Sequence, residues 1–495
     1  MKKIAFDNEK YLKIQREAIQ KRIELFGDKL YLEFGGKLFD DLHASRVLPG
    51  FEPQAKLKML LGMKDKAEII LVVNSEDINS NKFREDIGIT YQAETERLID
   101  GLKDIGLYVS SVVLSFYRQS PLIDCFEAKL EKNNIKVYKS YKINGYPNNI
   151  PLIVSEDGLG RNEYIETTRP LVVVTAPGPA SGKMGTCFSQ LYHDAKHGIR
   201  AGYAKFETFP IWNIGLKHPI NMAYEAATVE LNDVNMIDPY HFEKYGTIAV
   251  NYNRDVEAFP LLKAIFEKIY GNCPYNSPTD MGVNMVGFAI KNDSVACQAS
   301  KDEIIRRYYK VLKNNYLGKY KDETIVRMQN LLQQVEVDPL ERKAVKPCLK
   351  KAEATKVGCI AIELNNGRVL TGKTSSQFTA TAAALLNCLK KLAKIDDSLP
   401  VISKNVIEPI QQLKSSNLRK YNNRLDANEV LIALAIQAHT NSLSELIIKQ
   451  IPKLRGCQAH ASEIISESDS YILRKLGIDL TEEPKTHASR LLISK

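Results

Sequence analysis

The chain has no C-x-x-C pair: its eight cysteines, at positions 125, 187, 273, 297, 348, 359, 388 and 457, are scattered through 495 residues. That argues against a disulfide scaffold and the common structural zinc sites, and suits reduced thiols. Cys457-x-x-His460 stands alone and reads as structural. No uncharged run approaches the roughly 20 residues needed to cross a bilayer, and the opening MKKIAFDNEKY lacks a signal-like apolar core. A cytoplasmic protein without membrane contact is expected. Tryptophan occurs once, and Trp212 reads as core or pocket wall. A concentrated basic block is also missing, because 68 Lys and Arg against 59 Asp and Glu leave a net charge of +9 spread along the chain. A nucleic-acid surface would show a basic stripe interleaved with aromatics. The nearest candidate, residues 304–323, reads as an amphipathic helix with a solvated basic face. Small anionic ligands are favoured over nucleic acid, and no internal repeat or low-complexity tract is evident.

What is present has the cadence of an α/β protein. A helical opening over 1–30 leads to KLYLEFGGKLF, then to AEIILVV (67–73) and YVSSVVLSFY (108–117), with ITYQAETERLIDGLKDIG helical between them. KVYKSYKI (136–143), IPLIVS (150–155) and LVVVT (171–175) continue as strands. From about Pro219 the pattern becomes mainly helical, including MGVNMVGFAI and residues 322–337. The charged, Pro-punctuated stretch 338–356 reads as a linker. The expected division is 1–218 as an α/β domain, 219–340 as a mainly helical subdomain and 345–495 as a C-terminal α/β domain. At this length two to four units are usual.

The most informative segment is LVVVTAPGPASGKMGTCFSQ (171–190). An apolar β-branched run suited to a buried parallel strand passes through small residues into a helix. Successive N–H groups at Gly178, Ser181 and Gly182 could face one anion, Lys183 would add positive charge, and the helix N-terminus would point its dipole the same way. The phosphate-loop consensus G-x-x-x-x-G-K-[ST] is incomplete, however: Pro177 and Met184 replace its first Gly and its hydroxyl. Ser181 or Thr186 lies close enough to substitute for that metal-binding hydroxyl. Gly367–Thr374, GRVLTGKT, matches the consensus letter for letter, but Asn365-Asn366-Gly367 between two strand-like runs reads as a hairpin.

The phrases FGGKLFDDLHASRVLPGF (34–51), GLGRNEYIETTRPLVVVTAPGPASGKMGT (158–186), KFETFPIWN (205–213), KHPINMAYEAATVELNDVNMIDPYH (217–241), VNYNRDVEAFP (250–260) and SPTDMGVNM (277–285) together resemble a bacterial family catalogued as domain of unknown function 1846. The resemblance covers essentially the whole chain. It implies a cytosolic bacterial protein with a phosphate-loop-like N-terminal region, a helical region and an α/β C-terminal domain, and it names no reaction. Ala180 stands where the family leads us to expect Gly. The C-terminal NNGRVLTG with its Ala-rich helix is also similar in outline to the cytidine-deaminase-like fold. The required zinc ligands are absent, since the helix reads Ala382-Ala383-Ala384 and no C-x-x-C follows.

Phosphoryl chemistry needs a metal carboxylate and neutralising cations near the phosphates. The acids Glu207, Glu225, Glu230, Asp233 and Asp280 lie downstream of the cradle. Glu230 and Asp233 are three apart, share a face if helical, and form the preferred metal pair. Asp280 joins Lys183, Glu230 and Asp233 as a catalytic candidate. Arg161, Arg169, Arg200, Lys205, Lys217 and Arg254 are available to grip anions, with Arg161 assigned to the cofactor. His193-Asp194 with His197 resembles a phosphohydrolase metal pair, without a recognisable full ligand set. The reading is an ATP- or GTP-dependent enzyme using Mg²⁺ for phosphoryl transfer, ligation or hydrolysis on a small phosphate-bearing metabolite. The alternatives are a nucleotide-sensing or scaffold protein and a metal-dependent phosphohydrolase. Size and the extra C-terminal domain suggest a homo-oligomer.

Overall fold

A computed structural model describes residues 4–27, 29–36, 38–39, 42–84, 88–419 and 422–486. Among the described residues the chain divides into two compact units, one within Lys3–Glu225 with Asn232–Ser300, the other within Ala226–Leu231 and Lys301–Lys495.

The first unit is built on a seven-stranded parallel sheet. Its strands, in chain order, are β1 (Leu30–Phe34), β2 (Ala67–Asn74), β3 (Tyr108–Ser115), β4 (Lys136–Lys139), β5 (Leu171–Thr175), β6 (Gly202–Phe206) and β7 (Gly282–Val283). In space they run β7-β6-β1-β5-β2-β3-β4. Every residue of β1 and β5 is buried, as expected of strands covered on both faces. After β1 the chain skips a position, lays down β2, β3 and β4 to one side, and returns to fill the gap with β5 before crossing to β6. The carboxyl end of β5 therefore sits where the direction of winding reverses, the usual ligand position in an open α/β sheet. Helix α1 (Asn8–Leu25) buries Tyr11, Leu12, Ile19 and Ile23, and its Asp7 cap accepts from the Lys10 N–H. Among the described residues no helix is long and apolar enough to cross a membrane.

Three segments differ from their sequence patterns, one of them the stretch 338–356, which carries the helix Val345–Thr355 in place of a linker; the other two do so for local reasons. IPLIVS is a short helix, Ile150–Ile153, because Asn149 accepts from the Leu152 N–H and Pro151 occupies the first turn. In MGVNMVGFAI only Gly282–Val283 is a strand and Val286–Ala289 a single 3₁₀ turn. There the Asn284 side chain donates to the Pro210 carbonyl and accepts from the Val286 N–H, competing with helix formation. The chain past Pro219 thus returns to the main sheet through β7.

The second unit carries a four-stranded sheet of β8 (Cys359–Glu363), β9 (Val369–Lys373), β10 (Gln458–Ala461) and β11 (Asp479–Glu482), ordered β9-β8-β10-β11. The β8–β9 hairpin pairs Cys359 with Lys373 and Glu363 with Val369, so the letter-perfect GRVLTGKT lies in a hairpin and the following bend. Gly372 serves packing: a Cβ there would collide with the backbone of Ala380 and Ala384 in the helix Ala380–Ala393. Gly372→Ala is expected to cost this unit about 1–3 kcal/mol, the usual penalty of overpacking. A lowered denaturant midpoint would show it; an unchanged midpoint would mean that the helix shifts freely.

Candidate functional site

Helix α2 (Lys183–Lys196) starts directly after the β5 turn, with Gly182 as its N-cap at φ +89° and no side chain capping it. Only glycine takes that conformation without strain. Ala180 has φ +53°, in the same left-handed region, which explains the expectation of Gly there. The turn rests on its neighbours: the Ser115 hydroxyl at the end of β3 donates to the Ser181 carbonyl, and a Cβ on Gly178 would strike the Tyr91 ring. The first backbone bond of the helix runs from the Thr186 N–H to the Gly182 carbonyl, 2.9 Å. Among the described residues, the N–H groups of Gly178, Ala180, Ser181, Gly182, Lys183, Met184 and Gly185 make no backbone hydrogen bond. The Lys183 amine bends back over the turn, 3.5 Å from the Ser181 hydroxyl. Burial holds its pKa below that of an ordinary lysine. The Glu33 carboxylate opposes this, and the nearby charges of Lys205 and Arg254 add to it.

The same end of the sheet gathers a charged cluster. Glu33 on β1 and Lys205 on β6 are register partners, so their side chains leave the sheet on one face. Glu33 accepts from the Tyr203 hydroxyl at 2.8 Å. The Lys205 amine lies between two carboxylates, 2.8 Å from Glu207 and 2.6 Å from Asp255. Burial disfavours its charge, but Asp255, Glu207 and Glu33 outweigh that and raise its pKa. Burial also makes Glu207 hold its proton more tightly than an exposed glutamate, against the pull of Lys205. Arg254 and Asp255 occupy the first turn of α4 (Asn253–Tyr270), and Arg254 pairs with the buried Asp233 at 3.1 Å. Helix α4 packs beside α2 through Phe266 and Phe188, whose rings are 5.2 Å apart.

Several residues singled out from sequence lie elsewhere. The face that was to join Glu230 and Asp233 does not form. Helix α3 (Pro219–Ala227) ends first, Val229–Leu231 is a 3₁₀ turn, and Asn232 adopts φ +60°, which turns the chain. Exposed Glu230 belongs to the second unit and Asp233 to the first. Asp280 accepts from the Tyr245 hydroxyl at 2.9 Å and the Asn276 N–H at 3.1 Å, bracing its own loop. Glu225 accepts from the Asn235 N–H. Exposed Arg161 stacks over Tyr141 at 4.6 Å. The Thr186 hydroxyl donates back to the Gly182 carbonyl at 3.1 Å, so the substitute for the missing hydroxyl after Lys183 is already engaged.

The His193-Asp194 pair is structural. Asp194 is fully buried and accepts from Lys29 at 2.9 Å, Tyr31 at 2.8 Å and Tyr164 at 2.9 Å. Burial, with the bond to Asp194, pushes the Tyr164 hydroxyl up to about 12. His193 reaches the Asn162 carbonyl at 2.6 Å, and His197 reaches the His193 carbonyl. A carboxylate with three protein donors has little left for a metal. Half-buried Trp212 donates to the Asn284 carbonyl at 2.9 Å.

Glu33, Tyr203 and Asp255 were missed in the sequence. Glu33 carried a usable signal, an acid inside an otherwise apolar strand. Asp255 had only its place beside Arg254.

The chain matches the family model described as domain of unknown function DUF1846, N-terminal, over residues 4–336 and the corresponding C-terminal model over residues 340–492. It is similar to a UPF0371 protein of Streptococcus pyogenes serotype M5, 50% identical over 484 residues, covering 98% of each chain. A UPF0371 protein of Streptococcus equi subsp. zooepidemicus is likewise 50% identical over 484 residues, covering 98% of this chain and 97% of the relative.

Proposed function

The chain belongs to the DUF1846 family, and we propose that the turn between β5 and α2 holds the phosphate of a nucleotide, ATP or GTP, or of a phosphorylated small metabolite, for phosphoryl transfer, ligation or hydrolysis. One observation carries this reading: a run of N–H groups without backbone partners at a helix N-terminus, with a half-buried lysine amine folded over it. Such amides bind anions through their own dipoles and that of the helix. An anion would also compensate the Lys183 charge, which burial now penalises.

The neighbouring cluster supplies the remaining chemistry. Glu207 and Asp255 already bracket a cation, the Lys205 ammonium, and are the residues that would hold Mg²⁺ beside a bound phosphate. Magnesium there would neutralise charge developing on the phosphate oxygens. Arg254 is exposed enough to turn from Asp233 toward a ligand. Without Mg²⁺ on it, Glu207, with its raised proton affinity, would serve instead as general base.

A second reading, a sensing protein that binds without turnover, has its own support. Met184 stands where a metal-binding hydroxyl is usual, and Thr186 is committed to Gly182. Thermal-shift measurements with ATP, GTP and inorganic phosphate, with and without Mg²⁺, test the shared element, and phosphate release separates the two readings. Stabilisation by at least one of these ligands is expected; none at millimolar concentration would end both. The stabilisation is also expected to weaken with rising pH before the range of an ordinary lysine is reached. Burial lowers the pKa of Lys183, so its amine loses its proton, and its hold on an anion, early. An affinity flat across that range would remove Lys183 from the site.

A further inference from the structure

Away from the phosphate turn, three different donors meet at one point. His218 stands at the head of α3, with its N–H on the Gly215 carbonyl at 3.0 Å and its own carbonyl accepting from Met222 at 3.0 Å, so its backbone is pinned on both sides. Asp293 opens helix α5 (Asp293–Tyr316), and Cys297 follows one turn later on the same face. The His218 Nε2 is 3.0 Å from Asp293 Oδ1 and 3.6 Å from the Cys297 Sγ, which is 3.5 Å from Asp293 Oδ2. One donor atom from each residue lies within 4.8 Å of the others. Cys297 and His218 are half-buried and Asp293 is exposed, so the point is open to solvent on one side.

A thiol, an imidazole and a carboxylate in contact invite comparison with a nucleophilic triad, but the geometry is wrong for one. A triad needs the acid on one ring nitrogen and the thiol on the other. Here both approach Nε2, while Nδ1 faces the Ile220 N–H at 3.3 Å. Convergence on one point is what a cation requires. A tetrahedral ion at about 2.0–2.3 Å from each donor sets the donors roughly 3.3–3.8 Å apart; here Nε2 and Sγ are 3.6 Å apart, Asp293 reaches them with different oxygens, Oδ1 3.0 Å from Nε2 and Oδ2 3.5 Å from Sγ, and one donor of each residue lies within 4.8 Å of the others. Mixed sulfur, nitrogen and oxygen ligation suits zinc better than Mg²⁺ or Ca²⁺, which prefer oxygen alone.

We propose that His218, Asp293 and Cys297 bind one zinc ion through Nε2, a carboxylate oxygen and the thiolate, with the fourth position open to water or a ligand group. On binding, the Cys297 thiol releases its proton to solvent. The ring proton moves from Nε2 to Nδ1, and the Ile220 N–H gives up its contact. The ion ties the start of α5 to the segment preceding α3, elements 75 residues apart in sequence. This site uses none of the residues of the phosphate turn and stands whether or not that turn binds nucleotide.

The test is a titration of the metal-free full chain with Co²⁺ followed by Zn²⁺. Wild type is expected to take up one equivalent, to show thiolate-to-cobalt absorption, and to lose it on adding zinc. Cys297→Ser should abolish that band, and Asp293→Asn, at an exposed position where folding is not at stake, should weaken zinc binding about ten-fold or more. Metal-free melting temperatures check that both variants fold. Uptake well below one equivalent, or zinc binding by Asp293→Asn equal to wild type, overturns the proposal, and the second result stands even if Cys297→Ser fails to fold.

Discussion

Lys183→Ala is expected to lose about ten- to hundred-fold in affinity for a phosphate ligand, the value of a charge-assisted hydrogen bond of ~1.5–3 kcal/mol. At a ligand concentration about 100 times the wild-type dissociation constant, wild type gains roughly 2.7 kcal/mol of stability, and the variant would gain only about 0.4–1.4 kcal/mol. The ligand-free variant should melt no lower than wild type. Burial disfavours the Lys183 charge, and its closest polar contact in the turn is the Ser181 hydroxyl at 3.5 Å, so removing it relieves desolvation and breaks no strong bond. Lost binding with retained stability separates a ligand-holding role from a structural one. A variant that binds as well as wild type, or one that simply melts earlier, would contradict the reading.

The second large effect lies on the same helix, with the opposite signature. Asp194→Ala is expected to destabilise the first unit by about 3–5 kcal/mol, because it leaves the largely buried Lys29 ammonium unpaired and two tyrosine hydroxyls without their acceptor. Asp194→Asn keeps the shape and an acceptor but not the charge, and should fall between. Denaturant unfolding of both variants measures this, and phosphate binding by whichever variant remains folded should be unchanged. If Asp194→Ala instead retained stability and lost a bound metal, the phosphohydrolase reading of His193-Asp194 would revive.

These two residues show how far sequence carried the site. The strand–turn–helix around Lys183 was legible because it is local: an apolar run, a small-residue turn and a helix start are contiguous, and the backbone conformation at Gly182 follows from a few neighbouring residues. Asp194 beside His193 looked like metal chemistry because adjacency in sequence says nothing of what reaches the carboxylate. Its donors come from Lys29, Tyr31 and Tyr164, far away along the chain. Glu230 and Asp233 failed for a related reason. Their three-residue spacing implied a shared face only while the helix continued, and the 3₁₀ turn with the left-handed Asn232 ended it. The hairpin at Asn365-Asn366-Gly367 was legible despite its misleading match to a phosphate loop, since turn chemistry and alternation are short-range.

The sequence by itself determined the family, the alternation of strands and helices, and the strand–turn–helix at 171–190. Each depends on residues close together along the chain or on whole phrases held in order. Only the tertiary structure decided that β5 would fill the gap between β1 and β2, that Glu33, Lys205, Glu207 and Asp255 would gather at that end of the sheet, and that His218 would meet Asp293 and Cys297. The reason is physical: a parallel sheet orders its strands by burial and crossover, not by position in the chain. The side chains that become neighbours at its edge leave no periodicity for sequence reading to find.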